Sequence, residues 1–220
     1  MIAAAIYDMD GLIVDSEPFW REAESEVFGR LSRSPSPADF EMMMGRQIRE
    51  VILHWYSVAP WENFSPEKTQ QEILLEVARL VKKNAQLLPG VKESIDFFRN
   101  KGFKIGLASS SPFHLIRDLM QHYGLLEQFS VICSAEFESH GKPHPAVFLK
   151  AAEQLGVDAQ HCVVLEDSFN GLISAKAARM KCIVVPEKNS LNQTRFDIAD
   201  LKLSSLAELT EEKWKMVIGD

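Results

Sequence analysis

Four carboxylates, Asp8, Asp10, Asp15 and Glu17, fall within the stretch YDMDGLIVDSEP, directly after the apolar run IAAAIY. Carboxylates crowded together repel one another and lose hydration when buried, so such a cluster needs a cation or a chemical task. A hard divalent cation such as Mg2+ takes oxygen ligands, keeps several waters and commonly uses one or two carboxylates together with a substrate phosphate. Asp8 and Asp167 suffice for that. Once the phosphate's charge is screened, an anionic carboxylate can approach phosphorus as a nucleophile, while Lys142 and the Ser109 hydroxyl fix the phosphoryl oxygens.

The elements that must position these residues are legible in the hydropathy pattern. Short apolar runs, of the kind that strands buried on both faces show, occur at residues 2–7, 104–109, 130–134, 162–167 and 182–186. Helical patterns such as VKESIDFFRNKG, PFHLIRDLMQHYG and HPAVFLKAAEQLG lie between them, and their closing glycines suit the left-handed position after a helix end. The alternation predicts an α/β fold with a Rossmann-like, doubly wound parallel sheet. Ligands of such sheets bind outside the carboxyl ends of the strands. Asp8 and Asp10 follow the first run, Ser109, Ser110 and Ser111 the second, and Glu166 and Asp167 the fourth; Lys142 lies in HGKPHP after the third.

Residues 16–86 break the alternation. They contain no convincing strand, but amphipathic patterns recur, for instance Ile73, Leu74, Val77, Leu80 and Val81 after the cap signal Ser65-Pro66. The expectation is an all-helical insertion, 16–86, in a discontinuous core made of 1–15 and 87–220, with hinges at 14–18 and 84–88. RLSRSPSPAD (30–39) is the most loop-like stretch.

Composition narrows the function. The chain has 220 residues, 46% of them apolar, so it can bury a full core. With 24 basic against 31 acidic side chains the net charge is −7, and no basic run could track a phosphate backbone, which argues against a nucleic-acid partner. Cys133, Cys162 and Cys182 lack CxxC spacing and sit in apolar surroundings, as reduced core thiols do. No apolar window approaches membrane-spanning length and no secretory leader is visible, so a cytoplasmic protein without a membrane partner is expected, as a monomer. GxxxxGK[ST], GxSxG, GxGxxG and HExxH are all missing, which removes the signatures of P-loop, serine-hydrolase, dinucleotide-binding and zinc-protease chemistry.

AAAIYDMDG at 3–11, the strand-ending Ser109, Lys142 before Pro143, and Glu166-Asp167 together resemble, in order and strand context, the four motifs of the haloacid dehalogenase superfamily. The helical insertion is similar to that family's C1 cap. Through DMDGLIVDSEP, GLASSSP, KPHP and LEDSFNG the chain looks closest to the β-phosphoglucomutase-like branch and its 2-deoxyglucose-6-phosphate and hexitol phosphatases. The resemblance implies a Mg2+-dependent phosphomonoesterase for small sugar phosphates. Asp8 would be the nucleophile that becomes an aspartyl phosphate, and Asp10 the acid and base. Asp8, the Asp10 backbone carbonyl and Asp167 would bind Mg2+, with Glu166 a direct or water-mediated ligand. Ser109, Ser110 and Lys142 would hold the phosphoryl group. Asp10 favours phosphate esters over carbon–halogen bonds, because family members that cleave the latter lack the second aspartate. A sugar phosphomutase is the alternative, but its hinge histidine is replaced here by Trp20.

Several residues have plainer readings. Ser110 and Ser111 could cap a helix before Pro112, and Asp15, Ser16 and Glu17 could cap the first helix of the insertion. His140 and His144 are separated by Gly141 and Pro143, which rule out the helix that would align them on a metal. Trp20, His54, Trp55 and Trp61 are expected to pack within the cap. Arg46, after the flexible Gly45, is the preferred sugar contact.

Overall fold

The computed structural model describes residues 1–31 and 34–219. Strand β1 (Ala4–Tyr7) is wholly buried and lies in the middle of a six-stranded sheet between β2 (Lys104–Ser109) and β4 (Cys162–Glu166). Beyond β2 is β3 (Val131–Ser134), and beyond β4 are β5 (Lys181–Val184) and β6 (Leu201–Lys202). All pairings are parallel, in the order β3-β2-β1-β4-β5-β6. The connection reverses direction at β1, and that reversal opens the crevice at the strand ends. Register brings Tyr7 level with Leu107 and Leu165, so the residues just past β1, β2 and β4 emerge side by side. The two-residue β6 is an addition to the five strands expected from sequence, being too short to carry a period.

Alternation along β1 divides the core into two layers. Ala5 and Tyr7 join the buried residues of α5 (Val91–Asn100), α6 (Phe113–His122) and α9 (Glu211–Ile218), while Ala4 and Ile6 join those of α7 (Ala146–Leu155) and α8 (Phe169–Ala177). Gly102, Gly124 and Gly156 take positive φ after α5, α6 and α7, as their sequence positions suggested. Cys133, Cys162 and Cys182 are buried free thiols, and burial pushes Cys133 up to about 11 and Cys162 up to about 12.

Four helices stand between β1 and α5: α1 (Glu17–Arg30), α2 (Pro37–Met43), α3 (Ile48–Val58) and α4 (Pro66–Asn84). Ala23, Val27 and Phe28 of α1 are buried in one cluster with Ile73, Val77, Leu80 and Val81 of α4. Ser65 caps α4 as its position suggested, accepting from the Lys68 N–H at 3.3 Å. Residues 32 and 33 of the loop-like stretch lie outside the described residues, and its end is helical: Ser36 and Asp39 form a reciprocal capping box that starts α2. Trp61 packs edge-on to Phe28, Tyr56 and Phe64, and His54 and Trp55 contact each other.

The two chain links into the insertion run side by side. Val14 bridges Leu87 in antiparallel fashion; the Asp15 N–H donates to the Gln86 carbonyl and the Leu88 N–H to the Ile13 carbonyl, both at 2.9 Å. None of the described helices is long and apolar enough to cross a membrane.

Gly90 starts α5 with φ +85°, and a Cβ there would come within 2.0 Å of the Ala207 backbone nitrogen. Gly90→Ala is therefore expected to destabilise the fold by about 2 kcal/mol or more, from left-handed strain plus the clash. A urea midpoint that falls at constant slope would confirm it, and an unmoved midpoint would refute it.

Candidate active site

Asp8 is the first residue after β1. It is 5% exposed, and its N–H donates to the Leu165 carbonyl at 3.0 Å. Lys142, 1% exposed, reaches this point from the loop after β3. Its Nζ donates to Asp8 Oδ1 at 2.6 Å, to Glu166 Oε1 at 2.7 Å and to the Ala108 carbonyl at 3.2 Å, and it lies 4.7 Å from the centre of the Phe148 ring. Burial alone would strip this ammonium of its proton; the charges and hydrogen bonds of Asp8 and Glu166 outweigh that and hold its pKa above the usual lysine range.

Glu166 is fully occupied. Oε1 takes the Lys142 bond, and Oε2 accepts from the Asp167 N–H at 2.8 Å, the Ser168 N–H at 2.7 Å and the Ser168 hydroxyl at 2.9 Å. In this arrangement the residue anchors Lys142. Asp167 is the opposite case: its Oδ2 is buried without any hydrogen-bond partner. Gly11 makes the close approach possible, since a Cβ at that position, with φ +71°, would lie 2.1 Å from this oxygen.

Oxygens of Asp8, Glu166 and Asp167 lie within 4.8 Å of one another. Three carboxylates against one ammonium leave the buried cluster two negative charges in excess. Burial pushes Asp8 up to about 8, with Lys142 opposing and Glu166 and Asp10 adding to the rise. Asp167 is held well above its ordinary value by burial and by the charges of Glu166, Glu17 and Asp8. An orphaned buried oxygen within an all-oxygen set, short of two positive charges, fits a hard divalent cation.

Asp10 faces away from this trio. Its Oδ1 accepts from the Ser16 hydroxyl at 2.7 Å and the Trp20 indole N–H at 2.9 Å; its Oδ2 accepts from the Ser111 hydroxyl at 2.7 Å and the Ser109 hydroxyl at 3.4 Å. Ser16 does stand at the amino end of α1, yet its hydroxyl makes no cap bond and is directed to Asp10 instead. Ser111 does not cap α6, whose cap position is Pro112. The Ser110 hydroxyl donates to the Gly45 carbonyl at 2.7 Å and so ties the core to the insertion.

A cavity of ≈ 60 Å³ separates core and insertion, lined by Asp8, Asp10, Ser109 and Asp167 below and by Glu17, Trp20, Glu24 and Arg46 above. Arg46 carries a buried Nε with no partner. Polar contacts join insertion and core: Arg21 to Glu187 at 2.6 Å, Arg195 to Glu41 at 2.6 Å, the Asn170 amide to the Met44 carbonyl at 2.8 Å and the Gly141 N–H to Glu50 at 3.1 Å. His54, Trp55 and Trp61 do not line this cavity.

Residues 16, 20, 24 and 111 at the site were missed or read as structural. The last two of the α1 set had a faint signal: Trp20 and Glu24 continue from Glu17 at helical spacing, on the face that elsewhere would be apolar. Burial pushes Glu17, beside Asp10, and Glu24 each up to about 8.

Removing the Lys142 ammonium would strip buried Asp8 and Glu166 of their shared counter-ion. Lys142→Met is expected to cost about 3–5 kcal/mol in chemical denaturation of the metal-free chain; a loss under about 1 kcal/mol would mean that the cluster is solvated. Folded Glu24 keeps its proton up to about 8, whereas in the unfolded chain it releases it near 4.5, so it draws stability away as pH climbs through that interval. Glu24→Gln should therefore gain stability relative to the parent between those two pH values, and parallel pH–stability curves would contradict the assignment.

Residues 2–179 match the family model of haloacid dehalogenase-like hydrolases. The chain is 43% identical over 210 residues to hexitol phosphatase B of Escherichia coli strain K12, covering 95% of both proteins. It is 33% identical over 211 residues to the putative phosphatase YhcW of Bacillus subtilis strain 168, covering 95% of this chain and 94% of that one. Among solved structures, β-phosphoglucomutase from Clostridium difficile superposes with a TM-score of 0.88 over 100% of this chain and 98% of its own; at 24% identity this likeness speaks to the fold. A doubly wound sheet with an aspartate pair at the end of its central strand, a buried lysine, and a match spanning most of the sequence lead to one assignment: the chain belongs to the haloacid dehalogenase-like hydrolase family.

Proposed function

We propose that this enzyme is a Mg2+-dependent phosphomonoesterase that hydrolyses hexitol phosphates and related small sugar phosphates through an aspartyl phosphate on Asp8. The observation that carries the reading is the environment of Asp8: one oxygen is pinned by buried Lys142, with the partnerless Asp167 Oδ2 in the same cluster and the Asp10 carboxyl two residues on. The name of the Escherichia coli relative supports the substrate class.

Asp8 attacks phosphorus in line with the ester oxygen, and Asp10 delivers a proton to that oxygen as the bond breaks. Asp10 then takes a proton from a water that attacks the aspartyl phosphate at phosphorus, releasing phosphate and restoring Asp8. Ser109 and Lys142 hold phosphoryl oxygens, and the Arg46 guanidinium, with its free Nε, meets the sugar. Ser110 is the weaker phosphate contact, because its hydroxyl is engaged with Gly45. Asp8, Asp167 and the Asp10 carbonyl, with Glu166 directly or through water, would hold Mg2+, which would supply the positive charge that lets a carboxylate approach a phosphate dianion.

Residues 16–86 act as a cap that swings on the paired links at 13–15 and 86–88 to admit substrate and shut out bulk water during the first step. Trp20 bonds to Asp10 where a mutase of the same branch carries its histidine, and this favours release of phosphate over its return to a second hydroxyl.

Phosphate release over a panel of sugar, sugar-alcohol and nucleotide monophosphates, with and without Mg2+, tests the proposal. Hexitol and hexose 6-phosphates should turn over fastest, and chelation should abolish the activity. Asp8→Asn is expected to lose about 10⁴-fold or more in kcat, and Asp10→Asn about 10²- to 10⁴-fold with phosphate affinity retained. Substantial turnover by Asp8→Asn would sink the mechanism, and bisphosphate-primed isomerisation without phosphate release would move the enzyme to the mutases.

A further inference from the structure

Glu24 is an acidic side chain in a position built for an apolar one. It is 8% exposed on α1, next to Ala23 and one turn before Val27 and Phe28, all of them in the core, and it lines the cavity over Asp8 and Asp10. No donor among the described residues hydrogen-bonds to its carboxyl. Arg21, one turn earlier, spends its guanidinium on Glu187 at 2.6 Å. Burying a carboxyl without a donor is costly, and burial accordingly pushes its pKa up to about 8. A group kept at that cost, facing a cavity, is poised for donors brought by a ligand.

The helix geometry says which donors. Glu17, Trp20, Arg21 and Glu24 follow the i, i+3, i+4, i+7 spacing and share one side of α1. The Trp20 indole donates to Asp10 Oδ1, so this turn of α1 rests against the carboxyl that must meet the ester oxygen. Glu24 lies four residues on, about 6 Å further along the helix axis. A leaving group whose oxygen sits at Asp10 and which runs along α1 presents to Glu24 the atoms a few bonds beyond the ester.

We propose that Glu24 accepts hydrogen bonds from leaving-group hydroxyls and thereby selects polyhydroxylated alcohols as substrates. The inference rests on the phosphomonoesterase reading and deepens it. Its carboxyl can take two neighbouring hydroxyls, the vicinal diol that sugars and sugar alcohols supply. An aliphatic alcohol would leave it unpaired.

The test compares the full chain with Glu24→Leu and Glu24→Gln on glucitol 6-phosphate and on propyl phosphate, which has the same ester and no hydroxyl. Glu24→Leu should raise KM for glucitol 6-phosphate about 10- to 100-fold more than for propyl phosphate, and Glu24→Gln, still an acceptor, should recover part of the difference. Equal changes on both esters, or none on either, overturn the proposal. Calorimetry in the Asp8→Asn background separates it from the wider reading. If no ester is hydrolysed, the phosphatase reading falls, while glucitol 6-phosphate affinity lost on adding Glu24→Leu, with inorganic phosphate affinity kept, still supports Glu24. Unchanged affinity, or no binding of glucitol 6-phosphate at all, overturns it.

Discussion

The Lys142 ammonium, sealed from water between Asp8 and Glu166 and touching the Ala108 carbonyl, organises the active end of the sheet. Those three partners lie at the ends of β1, β4 and β2, the central strands, so a single cation ties together the chain segments that chemistry needs adjacent. Without it the carboxylates would repel one another in a low-dielectric setting; with it the cluster is still two charges short. Stability alone does not call for such an arrangement, since apolar side chains of similar volume hold strand ends at least as well. Its value is electrostatic order. Asp8 is fixed through one oxygen, and the remaining negative charge is a standing demand for a cation.

Asp10 shows the same economy on the other side. One of its oxygens is held by hydroxyls of the β2 loop and the other by Ser16 and Trp20 of the insertion. The carboxyl is thus shared by both parts of the protein, and its orientation reports whether they are together.

Much of this was legible in the sequence. Asp8, Asp10, Ser109, Lys142, Glu166 and Asp167 each follow an apolar run or sit in the loop after one, and parallel strands deliver such residues to one edge whatever the details of packing. Two kinds of feature were not legible. Elements without a period, such as the two-residue β6, or with a start written in side-chain caps, such as α2 within RLSRSPSPAD, leave no hydropathy trace. Contacts across the cavity were hidden for a different reason. That Ser110 would bond to Gly45 and that Glu24 would be buried both depend on where the insertion lands on the core, a relation between residues far apart in sequence.

The two links at residues 13–15 and 86–88 are hydrogen-bonded to each other, and two strands joined in this way behave as one stiff strip. A body carried on such a strip turns about it more readily than it slides, and displacement then grows with distance from the axis. Ser16 lies next to the strip and travels least, whereas Glu24 and Arg46, further out on the insertion, sweep a wider arc. The bond from Ser16 to Asp10 can thus persist over small openings that already part Glu24 and Arg46 from the core, and under the proposed function the alcohol would be loosened before the chemistry is disturbed.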